Sequence, residues 1–580
     1  MNGAAPSPED QLVELYETEW EWRISQLGAQ ALSSLAPIDD FLPDLGELAQ
    51  QQRLQHWESV LDKLHNIPIG DISESARVDY AVYEQQLTTL VAQQRFRMYE
   101  RPANADTSFW GLMASRATRK FETEGDARRY LSQLSDIPRS FAQHTENMRN
   151  GLRRGFGPPR ISMTGREETI RSVTEGDADS TVFFQSFDTL PESIPADIRD
   201  ELRDQARIVL REMVIPAYRT LLTFITKEYF PFLPIDIGAH SAPDGEAFYR
   251  AQLREFTTTD LSPEQIFEIG QREVASIRGE MEELAAATGF EGDVPGLLHF
   301  MRTDPQFYAT TAKELLYEAA WQTKKFDGRV HRFFGRTPRM RFGIVEPPAD
   351  LAPFYTAGRG GLDLYTLNTY NLHSRPLYSL PALTLHEAAP GHAFQTPFAL
   401  EQTQHPDFRR QVYISAYGEG WALYCERLGV EMEMYETPFE MMGMLSFQMW
   451  RASRLIVDPG MHAFGWSRER AQDFLRENTA IADHEIVTEI DRYIAWPGQA
   501  ASYYLGQLKI LELRRRSEAA LGAEFCLSNF HDAVLSLGSG PLTVLEERID
   551  RFIETGGHSP FNSDPFGNNP SDSGKDKRNA

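Results

Sequence analysis

The sequence predicts a mainly α-helical fold with one small β-sheet, and three observations predict it. Apolar residues recur at helical spacing through most of the chain, helix-start signals recur with them, and only two short stretches near the middle read as strands. At 580 residues the chain is long enough for several domains, or for one large helical body whose halves enclose a cleft.

The elements follow in order. Residues 1–11 form a Pro/Ser-containing lead that is expected to be flexible. Residues from about 11 to 156 read as successive amphipathic helices, with breaks near Pro37, Pro43 and Ile67-Pro68-Ile69-Gly70. Pro158-Pro159 and the polar stretch to about 174 read as a connection, and helices resume over 198–230. A second connection, 231–244, precedes another helical run. Ser262-Pro263-Glu264-Gln265 combines an N-cap serine, a proline at the first helical position and a capping-box glutamine, so a helix is expected to about residue 287. The two strands are 340–345 and 362–368, the second entered through a glycine loop at Gly358-Arg359-Gly360-Gly361. The pattern from 383 to about 555 is again helical, Met441-Met442-Gly443-Met444 reads as adaptable core packing, and the tail from Gly556 has the composition of disorder.

Composition narrows the function classes. A formal charge of −26 argues against nucleic acid or an anionic membrane as partner, since both call for basic faces. Cys425 and Cys526 match no disulfide, zinc-ribbon or redox spacing and are expected to be buried thiols. The first residues lack the basic and apolar regions of a signal peptide, and no apolar run reaches membrane-spanning length, so a cytoplasmic location is expected.

His386-Glu387, followed across Ala388-Ala389-Pro390-Gly391 by His392, is the stretch that carries chemistry. Two histidines bracketing a glutamate can hold zinc and activate water. Their i, i+6 spacing puts them roughly 240° apart on a regular helix, where an i, i+4 pair would share a face. Pro390 lacks an N–H and its ring clashes with the His386 carbonyl, and Gly391 relaxes the backbone beside it. A two-residue bulge there would return His392 to the face of His386.

A catalytic zinc takes three protein ligands and leaves a position for water. Glu419, 27 residues beyond His392 in Tyr417-Gly418-Glu419-Gly420-Trp421-Ala422, is the first choice, with small neighbours that let a second helix approach. Glu426, seven residues on, is the reserve. The expected cofactor is one zinc ion per chain, held by His386, His392 and Glu419, with Glu387 as general base in the hydrolysis of an amide. His484-Glu485, with no second histidine nearby, shows that the dipeptide alone means little. An oxyanion stabiliser is expected from the segment Arg492 to Tyr504, with Tyr503 first and Tyr504 second. Arg451, Arg454, Asp458 and His462 form a polar cluster in an apolar stretch. They read equally as buried ion pairing, or as a cleft group in which His462 helps the transition state and an arginine holds a substrate carboxylate. Arg492 could serve that last purpose too.

These pieces resemble the mostly bacterial family known as domain of unknown function eight-eight-five, regarded as zinc-metallopeptidase-like. The resemblance spans about 12–555 and rests on Tyr130-Leu131 to Pro138, Thr258-Thr259-Asp260-Leu261-Ser262-Pro263-Glu264, Leu383-Thr384-Leu385-His386-Glu387 to Gln395, Glu419-Gly420-Trp421-Ala422-Leu423-Tyr424, Arg454 to His462 and Pro497-Gly498-Gln499-Ala500. It implies a single domain over 12–555 with its active-site segment at 340–510, in a large helical two-lobed cleft of thimet-oligopeptidase or gluzincin type. A small β-sheet would stand beside the zinc helix. It further implies that extended peptide binds along the sheet edge 364–369, with Asn368 and Tyr370 close to the metal, and it favours Glu419 over Glu426. Many relatives read Pro-Gly-His-His where this chain has Ala393, so any role of that extra histidine is absent.

The expected function is therefore a zinc-dependent metallopeptidase-like hydrolase of short peptides, using Glu387, Tyr503 and His462 in catalysis and Asn368, Tyr370, Arg454, Arg492 and Tyr504 in substrate binding. Two alternatives stand beside it: a zinc hydrolase of a specialised amide or ester, and a non-catalytic peptide-binding protein. The direction of cleavage and the oligomeric state are open.

Overall fold

The computed structural model describes residues 6–33, 36–117, 119–349 and 352–561. Ser7 starts the first helix, Pro8–Leu27, through a capping box: its hydroxyl accepts the Asp10 N–H while the Asp10 carboxylate accepts the Ser7 N–H. The helical body thus begins inside the expected lead, and residues 1–5 of that lead lie outside the described residues. Helices Glu47–His65 and Glu74–Arg95 pack on the first helix around Trp57, Leu64 and Tyr83. A second core gathers around the long helix Glu124–Arg154 with Ala196–Val209 and Ile215–Phe224. The stretch expected as a connection contains a helix, Glu167–Thr174, because Ile170 and Val173 stand three apart and both bury.

The remaining half carries the helices α1 (Pro263–Ala285), α2 (Leu380–Glu387), α3 (His392–Leu400), α4 (Ser415–Leu428), α5 (Pro438–His462), α6 (Asp483–Ala495) and α7 (Ser502–Leu521). The Ser262/Gln265 capping box of α1 forms as its sequence requires. α1 lies along α5, and Gly270 is what allows it, since a Cβ there would stand 2.8 Å from Leu455 and Ile456 side-chain carbons. α5 is buried along almost its whole length, with Met442 and Met444 in the core as their spacing suggested.

Three short strands, β1 (Gly343–Val345), β2 (Gly358–Gly360) and β3 (Leu364–Leu367), form one sheet in the order β1-β3-β2. β1 runs parallel to β3, with Gly343 opposite Leu364. β2 is antiparallel to β3, with Gly358 opposite Leu367 and Gly360 opposite Tyr365. This corrects two expectations. The glycine loop is itself a strand, and 364–369 cannot be the free edge because β3 is central; β2 is the edge beside the candidate site. Glycine reads as a turn signal in sequence, but Gly360 answers to close approach: a Cβ there would lie 2.0 Å from the Glu387 carbonyl oxygen.

Two further expectations change. Cys425 is buried but Cys526 is exposed, at the start of helix Leu527–Leu535. Residues 556–561 fold back onto the body, where the Arg336 guanidinium covers the Phe561 ring at 4.4 Å and the Ser559 hydroxyl donates to Asp532 at 2.7 Å. The rest of the tail, 562–580, lies outside the described residues. Among the described residues no helix is long and apolar enough to cross a membrane.

Candidate functional site

The spacing of the two histidines is resolved by a break between helices, and the expected bulge within one helix is absent. α2 ends at Glu387, the chain turns through Ala388–Gly391 with a cis Ala389-Pro390 bond, and α3 begins at His392. His386 therefore sits in the last turn of one helix and His392 opens the next, bringing the rings to 5.0 Å at 87°. Gly391 is obligatory: a Cβ would lie 1.8 Å from the His386 carbonyl oxygen. The Trp421 indole N–H donates to the Pro390 carbonyl at 2.8 Å and ties the junction to α4.

α4 supplies Glu419, whose Oε2 lies 3.2 Å from His392 Nε2 and 3.4 Å from His386 Nε2. The ligand atoms of His386, His392 and Glu419 all fall within 4.8 Å of one another. Charge-assisted hydrogen bonds run ~2.7–2.9 Å, shorter than either contact. Ligands bonded ~2.1 Å from a tetrahedral ion would stand about 3.4 Å apart along each edge, which matches both. Two imidazoles and a carboxylate are also a donor set that zinc takes in open catalytic sites, so the residues fit that ion.

The small residues around Glu419 permit a close helix approach as expected, but the helix they admit is α7 and not the histidine helices. Gly420 faces α7, where a Cβ would lie 2.5 Å from Gly506, and a Cβ on Gly506 would lie 1.9 Å from the Ala416 carbonyl oxygen. α4 and α7 thus cross in near backbone contact, which fixes Glu419 and Tyr503 relative to each other. Glu426 is no ligand. Its Oε1 lies 2.8 Å from His386 Nδ1, the outer nitrogen, so it sets the ring's tautomer and turns Nε2 inward. Burial would lower the His386 pKa, but the neighbouring carboxylates of Glu419 and Glu426 carry it up to about 9. Burial would raise Glu419, yet the charge of His392 and hydrogen bonds from both histidines hold it well below the carboxylate range.

Glu387 is fastened from the sheet side, its Oε2 accepting the Gly360 N–H at 2.6 Å. It opens with His386, His392 and Glu419 onto a cleft of about 390 Å³, whose far wall carries Arg451, Arg454, Glu489, Arg492 and Tyr503. The Tyr503 ring stacks 6.3 Å from that of His386, and its hydroxyl accepts a hydrogen bond from Arg492 Nη2 at 3.0 Å.

The family described as bacterial protein of unknown function (DUF885) matches residues 24–549. The chain belongs to this family. Two solved structures share the DUF885 chain's fold. A candidate lipoprotein from Colwellia psychrerythraea aligns at TM-score 0.87 and 26% identity, covering 95% of this chain and 100% of that one. A candidate lipoprotein of unknown function from Shewanella oneidensis aligns at TM-score 0.65 and 17% identity, covering 94% and 99%. No curated protein matches.

In this DUF885 chain the structure gathers His386, Glu387, His392, Glu419, Tyr503, Arg451, Arg454 and Arg492 at one cleft, and leaves His462, Tyr504, Asn368 and Tyr370 outside it. His462 is fully buried, its Nδ1 accepting the Ala239 N–H at 3.1 Å and its Nε2 donating to the Tyr493 carbonyl at 3.0 Å. It is a structural histidine, two turns beyond the arginines that line the cleft. Tyr504 points about 100° away from Tyr503 around α7, and its hydroxyl donates to Glu273 on α1. Asn368 is buried, its amide donating to the Ala352 and Tyr355 carbonyls, and Tyr370 is half-exposed; neither lines the cleft. Sequence reading missed the Gly360 N–H, which no side chain advertises, and Tyr413, whose hydroxyl donates to the outer oxygen of Glu419 at 2.9 Å. Glu489 was also missed. At i+3 from it, Arg492 held the signal that could have found it.

Proposed function

We propose that this chain is a zinc-dependent hydrolase that cleaves amide bonds of short peptides, in a helical cleft of gluzincin character. One observation carries the reading: His386, His392 and Glu419 converge at metal-ligand spacing with Glu387 beside them and a cleft in front. His386, His392 and Glu419 would hold the ion, which when bound supplies a Lewis acid that polarises the scissile carbonyl and acidifies water. Glu387 takes the proton from the attacking water on its free Oε1 and returns it to the leaving nitrogen, while the Gly360 N–H holds Oε2 in place. Tyr503 accepts from Arg492 and so keeps its own O–H for the oxygen that gains charge as the carbonyl is attacked. β2, the sheet edge beside Glu387, is where an extended peptide would pair.

Location is a separate proposal: the cytoplasm stands against a membrane-anchored form, which the description of both structural neighbours as candidate lipoproteins favours, and cell fractionation separates the two. The test of function is profiling of a mixed peptide library by mass spectrometry. Zinc-loaded protein should bind one ion and cut peptides, and Glu387→Gln should keep the ion while turnover falls about 10²- to 10⁴-fold. Absence of stoichiometric zinc, or hydrolysis untouched by Glu387→Gln, overturns the proposal.

A further inference from the structure

The far wall of the cleft holds more positive charge than its own carboxylates match. Arg454 and Arg492 both turn to Glu489, at 3.1 Å and 3.5 Å, and among the described residues it is the single carboxylate within ion-pair distance of either. Two guanidiniums thus share one carboxylate at ion-pair distance, with Glu485 acting on Arg454 and Asp106 on Arg492 only from farther off. Arg454 Nη1 is buried with no hydrogen-bond acceptor at all.

The two arginines divide the work. Arg454 is 2% exposed and fixed between rings, its guanidinium 4.2 Å from the Tyr503 centroid and 4.8 Å from that of Trp450. Arg492 is 26% exposed and faces the cleft, with its fork oriented by Tyr503, Gln499 and Glu489. With Nη2 donating to Tyr503 and Gln499, a guanidinium held so keeps N–H groups on Nε and Nη1 for a charge-assisted hydrogen bond to a ligand carboxylate. The position is also informative. Arg492 touches the hydroxyl of the tyrosine whose ring stacks on His386, so it lies one tyrosine from the ligand cluster, the reach of one or two extended residues at ~3.5 Å each. Arg451 does not compete for this role: its guanidinium lies against Phe447 and Trp450, and its carboxylate partner is Glu426, behind His386.

We propose that Arg492, backed by Arg454, binds the free α-carboxylate of the substrate, so that cleavage removes one or two residues from the carboxyl end. The inference rests on the hydrolase reading for its bond-breaking step but not for its binding step. The two can therefore fail separately.

The binding step is tested in zinc-loaded Glu387→Gln protein by calorimetry with N-acetyl-trialanine and with its carboxy-terminal amide. The free acid should bind about 10- to 100-fold more tightly, a ratio expected of charge-assisted hydrogen bonding to a guanidinium. Adding Arg492→Gln should bring the ratio close to one, and Arg492→Lys should keep part of it, since lysine retains the charge without the fork. Equal affinity for acid and amide, or an Arg492→Gln change that weakens both alike, overturns the site. With the wild-type protein, products from a peptide library should end one or two residues short of the carboxyl terminus, and predominantly internal cuts overturn the assignment. If no peptide is cut, the hydrolase reading fails, while the acid-to-amide ratio still decides the carboxylate site.

Discussion

His386, which lines the cleft, and His462, buried behind it, show how differently one residue type can be used. His386 has a carboxylate on each ring nitrogen, whereas His462 has a backbone N–H on one and a carbonyl on the other. Burial pushes the His462 pKa down to about 4. The sign of its contribution follows. Between that value and about 6.5 the unfolded state binds a proton that the folded state refuses, so stability contributed by His462 is full above this window and is lost as pH falls through it. For a fully buried group the span amounts to about 3 kcal/mol. Urea titrations should therefore show a slope in unfolding free energy between pH 6.5 and 4 that His462→Gln flattens; an unchanged slope refutes the assignment. His386, His392 and Glu419 were legible in the sequence because a Pro-Gly break, an adjacent glutamate and a downstream Glu-Gly are local signals. Tyr504, Asn368 and Tyr370 were misplaced because the direction of a side chain around its helix or loop is set by the neighbour it packs on, which lies elsewhere in the chain.

At the scale of elements, the site is a set of close approaches licensed by glycine. Gly360 lets β2 lie against the end of α2, and Gly420 with Gly506 lets α4 touch α7. Gly360→Ala places a methyl carbon within 2.0 Å of the Glu387 carbonyl oxygen, so β2 must retreat and Glu387 loses its N–H. Turnover should fall at least tenfold with zinc content unchanged, measured by single-turnover kinetics and metal analysis; loss of zinc instead would mean that α2 itself moves. The helix α1 was legible in its capping residues and α5 in its apolar spacing, and the capping box at Ser262 forms as read. β2 was not, because three residues containing two glycines carry the local signature of a turn, and only the pairing with β3 makes them a strand.

For the whole molecule, the ligand cluster joins two parts of the chain that otherwise meet through packing and the Trp421–Pro390 and His386–Glu426 hydrogen bonds: the α2–α3 junction and α4. An ion bound only by the folded state stabilises it by about 2.7 kcal/mol at a free concentration 100 times its Kd. Added zinc should raise Tm by a few degrees, chelation should reverse the rise, and His392→Ala should abolish it; a rise that survives His392→Ala would place the ion elsewhere. The mainly helical architecture and the mid-chain sheet were legible because periodicity accumulates over long windows. The way the segments close around one cleft was not, since nothing local in residues 358–360, 386–419 and 489–503 says that they meet.

That dispersal has a consequence for how the protein is made. The three ligands lie within 386–419, with Glu387 among them and the strand that holds it just upstream, whereas Tyr503 and Arg492 come much later. Because a chain leaves the ribosome amino end first, a nascent molecule carries all three candidate ligands well before it has Tyr503 and Arg492. On the hydrolase proposal, cleavage would be withheld until α7 has emerged and docked on α4. An incomplete product would then hold the candidate ligands beside half a cleft, without the groups proposed to act on a peptide.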